Sequence, residues 1–283
     1  MFGQLVVNGV LMGSVFALIA SGLAFIYGPL NLVNFAHGDL VMTAMYIAFL
    51  CADRLHLNVW LAIPVTFVVM GVIGFLDYRF LVRPVLQAPR LAQALTTHGF
   101  GVGLQALALF FMGPDFRTIN NVTFSGTLTI ASLNLGVARL VAGLAGLVAF
   151  ALLFVFLKYS KTGKAVQAIA MNREAAALIG IDLERMYALS LIISMLCVGV
   201  AGIFLSQFYY IFPVVGPPLL SMAWVAMVIG GFGSMPGAFI GGIVVGLTQA
   251  FSGWFLSPAL KDAIMYVIFV GLMAFKPRGL FGW

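Results

Sequence analysis

The sequence predicts an all-α, polytopic transmembrane bundle of about nine spans, with eight to ten allowed. Three observations carry that class. Of the 283 residues, 63% are hydrophobic and only 8% charged, and the mean hydropathy is +1.14, whereas soluble domains carry roughly 25% charged residues. The apolar stretches are long and bounded by polar, Gly or Pro punctuation. They also lack the period-2 alternation of a membrane β-barrel. One membrane domain, residues 1–283, accounts for the chain.

Each span follows from length, since about 20 helical residues cross a hydrocarbon core of roughly 30 Å. Leu5–Gly28, Leu57–Leu76, Leu91–Gly113, Val137–Leu157, Tyr187–Tyr209 and Pro236–Leu256 meet that length. Asp39–Cys51, Leu219–Gly231 and Asp262–Phe275 are shorter and cross only with help from neighbouring residues or a thinned bilayer. The first apolar run is too long for a signal-peptide core, and no basic residue precedes Arg54. Cys51 and Cys197 lie in or beside apolar runs and read as small core residues.

Basic residues give the orientation. With nine crossings, Arg79, Arg83, Arg90, Lys158, Lys161, Lys164, Arg173, Arg185, Lys276 and Arg278 share one side, and Arg54, Arg117, Arg139 and Lys261 fall on or near the other. The positive-inside rule then puts the N-terminus outside and the C-terminus in the cytoplasm. The net charge of +6 expresses this topology. No basic stripe interleaved with stacking aromatics points to nucleic acid.

The longest polar break, residues 158–186, holds Lys158, Lys161, Lys164, Arg173, Glu174, Asp182, Glu184 and Arg185 between two apolar segments. Within it, Arg173, Glu174, Ala175 and Ala176 begin a short helix-forming run that Gly180 can stop in a left-handed conformation. So short a helix is marginal alone. It reads as a docking element for a partner, or as a solvated helix on a cytoplasmic loop. The loop 114–136 is the largest on the opposite side.

Two further breaks interrupt the apolar pattern, one in each half. Around the first, Asn34, His37, Gly38 and Asp39 are candidates for a substrate pathway, because interrupted helices leave polar backbone that must line a cavity or be satisfied within protein. Two readings stay open: Asn34 and Asp39 meet the ends of an amino acid in transit, or these residues form a structural network with Asp39 as N-cap of the second span. The second break offers Gly231, Gly233 and Ser234, and glycines recur at 233, 237 and 241, a spacing that also suits close helix packing. His98, between Thr97 and Gly99, is either a pathway group or a neutral interhelical histidine.

Chemistry is excluded more sharply. The chain contains no Gly-x4-Gly-Lys-Ser/Thr, so Gly163-Lys164 is no phosphate loop. Intramembrane protease signatures and metal-ligand spacing are missing, and no cofactor or catalytic residue is expected. An ion-gradient-driven secondary carrier would need intramembrane acids, of which Asp39 alone is a plausible one.

Glu174-Ala175-Ala176, three residues and Gly180 match the EAA signature of ABC-importer membrane subunits, without its Ile-x-Leu-Pro ending. Leu32-Val33-Asn34-Phe35-Ala36-His37-Gly38-Asp39, Thr162-Gly163-Lys164-Ala165, Gly230-Gly231-Phe232-Gly233-Ser234-Met235-Pro236-Gly237 and the Lys276–Gly282 tail make the chain resemble the branched-chain amino acid permease family along nearly its whole length. Its compact size and early first span look like the shorter of that family's two paired permeases. The resemblance implies an ABC importer permease fold with broken helices, in a prokaryotic inner membrane, carrying branched-chain or other small neutral amino acids. Urea, amides and aromatic acids move through similar-looking permeases. Implied partners are a second permease subunit (a heterodimer, with a homodimer still open), two cytoplasmic ATPases and an extracytoplasmic solute-binding protein. The ATPases would dock on Arg173, Glu174, Ala175, Ala176 and Gly180, and the binding protein on residues 114–136.

Overall fold

The computed structural model describes residues 2–119, 124–130, 133–257, 259–276 and 279–281. Residues 120–123 and 131–132 of the external loop, and Pro277, Arg278 and Gly282 of the tail, lie outside the described residues. Among the described residues, six helices are long and apolar enough to cross a membrane. They are α1 (Phe2–Leu30), α3 (Val59–Leu76) with its continuation to Val85, α5 (Arg90–Met112), α6 (Val137–Tyr159), α9 (Leu183–Leu205) and α11 (Met235–Phe255). These are the six segments long enough by sequence. The three short segments are α2 (His37–Asp53), α10 (Gly216–Gly230) and α12 (Lys261–Phe275), of 17, 15 and 15 residues. Among the described residues six helices thus reach full span length, and the three short ones fall below it, as their sequence lengths predict.

α1 is the hub. It is buried along most of its length and is surrounded by α6, α9, α10 and α11. Helices in lipid gain little from burying apolar surface against one another, so close packing falls to small residues. The seam between α1 and α11 shows this. A Cβ on Gly13 would lie 2.9 Å from the Ile243 Cα, and one on Gly242 or Gly246 would run into the backbone of Ala17 or Gly13. Gly237 and Gly241 likewise meet the backbone of α10 at Gly230 and Ala226, so within the spaced glycine series the structure shows tight packing inside this chain.

The end of α3 is irregular. Asp77–Val82 forms a π-helical segment that leads into α4 (Arg83–Val85). Pro84 cannot donate a backbone hydrogen bond and crowds the preceding turn, which a widened helix accommodates. At the opposite end of the bundle a hairpin pairs β1 (Thr127–Ile130) with β2 (Leu133–Gly136), and Gln4 donates to the Asn134 carbonyl at 3.0 Å. Arg117 bridges Ile211 there and lies 5.5 Å from the Phe49 ring centre. The remaining polar connection forms α7 (Lys161–Met171) and α8 (Arg173–Leu178), capped by Ser160 and Asn172.

α5 and α12 flank the bundle. Only Gln93, Thr97 and Gly101 of α5 are buried, one residue per turn at i, i+4 spacing; Thr97 and Gly101 face the first break and α2, while Gln93 donates to the Leu86 and Ala88 carbonyls.

A candidate transport pathway and its loop helix

The first break is built by hydrogen bonds. α1 ends where Asn31 adopts φ +50° and its N–H donates to the Tyr27 carbonyl at 2.8 Å, a left-handed cap that asparagine tolerates. The chain then turns back towards the middle of the bundle. Asn34 Oδ1 accepts from the Ala36 N–H at 3.0 Å, and the Thr97 hydroxyl accepts from the Phe35 N–H at 3.2 Å. His37 Nε2 lies 3.0 Å from the Ile19 carbonyl, so that nitrogen carries the proton. The N-cap of α2 is Ala36, without a side-chain cap bond. Asp39 does not cap the helix: it lies within the first turn, and its Oδ1 accepts from Gln105 Nε2 at 2.9 Å.

Asp39 marks a junction of two short helices, α2 and α10. A Cβ on Gly101 would strike its Oδ2, and one on Gly216 would strike its Oδ1, so both glycines exist where the carboxylate needs room. Gly101 is halfway along the 23-residue α5, and Gly216 is the first residue of α10. The starts of α2 and α10 thus meet near mid-span. Their aligned N–H groups place positive potential on the carboxylate. This arrangement of discontinuous helices explains why both elements are too short to span alone.

The two breaks also meet through aromatic rings. Phe35 stacks on Trp224 at 5.8 Å and meets His98 edge-on at 6.5 Å. Trp224 contacts Phe232 at 6.3 Å, and Phe232 contacts Tyr27 at 5.3 Å. His98 and Phe232 face outwards from this chain, Phe35, Tyr27 and Trp224 are half-buried, and the Trp224 Nε1–H is a buried donor without a partner. Such a strip suits an apolar side chain, with hydrogen-bonding groups at its margins.

Asn34 (1% exposed), His37 (0%) and Asp39 (4%) are closed inside the protein. In this conformation they hold the break together. Gly231 and Gly233 take φ of +108° and +74°, and Ser234 caps α11 through the Gly237 N–H at 3.2 Å. These three shape the second break, while Phe232 presents a ring to the strip. The sequence reading missed Phe35, Gln105, Trp224 and Phe232. The α5 part was legible as a polar and small stripe, Gln93–Thr97–Gly101–Gln105, at four-residue spacing.

At the basic end, α8 is capped by Asn172 Oδ1 accepting from the Ala175 N–H at 3.0 Å. It closes in a Schellman motif: Ile181 N–H donates to Ala176 O at 3.1 Å, Gly180 N–H to Ala177 O at 3.0 Å, and Gly180 has φ +84°. Ala176 turns inwards, whereas Glu174, Ala175 and Gly180 are exposed. Around them Met171, Leu178 and Ile179 are 85%, 88% and 76% exposed. Arg83 and Glu184 pair at 2.8 Å, tying the loop exit to α4, just beyond the π-helical segment.

Comparison with known proteins settles the family. A family described as branched-chain amino acid transport system, permease component, matches residues 5–273. The chain belongs to this permease family. The high-affinity branched-chain amino acid transport system permease protein LivH of Escherichia coli K12 is 32% identical over 302 residues, covering 99% of this chain and 96% of LivH. BraD of Pseudomonas aeruginosa, with the same description, is 29% identical over 99% of the chain and 95% of BraD. A probable branched-chain amino acid permease protein of Methanocaldococcus jannaschii is 24% identical over 97% of the chain and 91% of its own length. The solved structure of PsaBC from Streptococcus pneumoniae in complex with Fab aligns with a TM-score of 0.53 and 12% identity over 96% of this permease and 91% of the matched chain, a likeness of fold. This permease is accordingly a multi-pass transport component, and nothing in the comparisons supports a gradient-driven carrier.

Proposed function

We propose that the permease is the translocating subunit of an ATP-driven importer for branched-chain or similar small neutral amino acids. It sits in the cytoplasmic membrane with its N-terminus outside and its C-terminus inside, and nine crossings result when α2, α10 and α12 are completed by their extended flanks. A second permease subunit covers the open side of the aromatic strip, in a heterodimer. Two cytoplasmic ATPases dock on the exposed face of α8 and the turn that ends it at Gly180, and a solute-binding protein delivers substrate to the 114–136 face. The chain has no phosphate-loop motif of its own, so hydrolysis belongs to those partners.

One observation carries this reading: Met171, Leu178 and Ile179 stand exposed around a capped six-residue helix on a connection that is otherwise strongly charged. On a water-facing loop such a cluster marks a protein partner. Covering an apolar side chain of this size is worth about 1.5–3 kcal/mol. Inside the bundle, the ring strip of Phe35, Trp224 and Phe232 suits a branched aliphatic side chain. Asn34, His37, Gly38, Asp39, Gly231, Gly233 and Ser234 shape the breaks that must move for passage.

The test is co-purification of the tagged permease from its native membrane, followed by ATPase assay with leucine and binding protein. ATPase subunits should co-purify with the native protein and be lost in Leu178→Asp, whose insertion and yield are unchanged. Retention of those subunits by Leu178→Asp would remove the docking assignment.

A further inference from the structure

We infer that Arg173 is a positioning residue that transmits movement of α8 to the first break, rather than part of the surface that meets the ATPase. This rests on the importer reading above. Arg173 is itself exposed on α8, yet its guanidinium donates through Nη2 to the Leu30 carbonyl at 3.3 Å, across 143 residues of sequence. The same group lies 5.5 Å from the centre of the Tyr187 ring, in the first turns of α9.

The chemistry of each contact explains the choice. Leu30 is the last residue of α1, where carbonyls point out of the helix without intrahelical donors and carry partial negative charge. A guanidinium satisfies such a carbonyl and still offers its face to an aromatic ring, which an ammonium does less well. The next residue, Asn31, is the left-handed cap, and three residues on Asn34 begins the turn into α2. Ala176 is buried and Asn172 caps the helix, so α8 is rigid enough to carry a push. Arg173 therefore connects the helix a partner would push, the pivot at the start of α9, and the joint ahead of Asp39. The Tyr187 hydroxyl is buried without a hydrogen-bond partner, so its ring, and not its oxygen, serves the contact.

The test uses the full complex in proteoliposomes, with Arg173→Met, Tyr187→Leu and Tyr187→Phe. Arg173→Met and Tyr187→Leu should keep their ATPase subunits and their ATP hydrolysis while leucine taken up per ATP falls about tenfold, within the usual range of coupling between sites. Tyr187→Phe, which keeps the ring, should match the native ratio. The double variant Arg173→Met/Tyr187→Leu should be no worse than Arg173→Met alone. Hydrogen exchange of the isolated permease gives a second readout: amides of residues 31–36 should exchange faster in Arg173→Met. An unchanged uptake-to-ATP ratio in Arg173→Met overturns the inference, and so does loss of its ATPase subunits, which would place Arg173 on the docking face. Failure of the importer reading shows separately, as a native complex without ATPase subunits, and takes the coupling role with it.

Discussion

Asp39 and its neighbours show how a carboxylate is kept at mid-span. Gln105 donates to it, the first turns of two helices converge on it, and Gly101 and Gly216 leave it room. Each of those supports can be removed singly. Replacing Gln105 by Leu leaves Asp39 Oδ1 without its donor, which costs about 1–3 kcal/mol for a buried group. The detergent-solubilised Gln105→Leu protein should melt several degrees lower than the native one. Adding Asp39→Asn to that background should recover part of the loss, because a neutral amide is cheaper to bury. Equal melting of native and Gln105→Leu protein would show that the pair contributes nothing.

At the scale of elements, glycine placement decides which helices touch. Gly246 on α11 faces the backbone of Gly13 and Gly9 on α1, while Gly253, two turns further along α11, has nothing within 4 Å of the place an added Cβ would take. Backbone cannot yield as a side chain can, and overpacking a tight contact costs about 1–3 kcal/mol or more. Gly246→Val should therefore lose the monodisperse peak in size-exclusion chromatography, and Gly253→Val should keep it. The reverse ranking would mean that the α1–α11 seam does not hold the bundle together. Here the limits of sequence reading are physical. Length and hydropathy found the six long helices, because crossing lipid demands them. α2 and α10 looked like incomplete spans, since their brevity follows from a meeting at Asp39 that only the tertiary arrangement contains. Asp39 looked like a cap because it precedes an apolar run, yet Ala36 starts the helix and the carboxylate is claimed by Gln105, 66 residues away. The ring strip was hidden for a related reason: Phe35, Trp224 and Phe232 lie on three separate segments, and single aromatics in apolar sequence carry no local signal.

Across the whole molecule, a charged end bearing an exposed apolar helix is joined to two interrupted helices at the centre. Arg173–Leu30 ties that end to the close of α1 just ahead of the first break, and Arg83–Glu184 ties α4 to the start of α9. The opposite end carries the β1–β2 hairpin and the Arg117–Ile211 bridge. Family membership describes a permease component of a transport system, and in the reading proposed above its energy comes from partner ATPases. The most direct measurement of that claim is uptake of labelled leucine into proteoliposomes holding the purified complex, with the binding protein outside and ATP sealed inside. Uptake should require internal ATP and should be absent when the permease alone is given a proton or sodium gradient. Gradient-driven uptake by the permease alone would contradict the account.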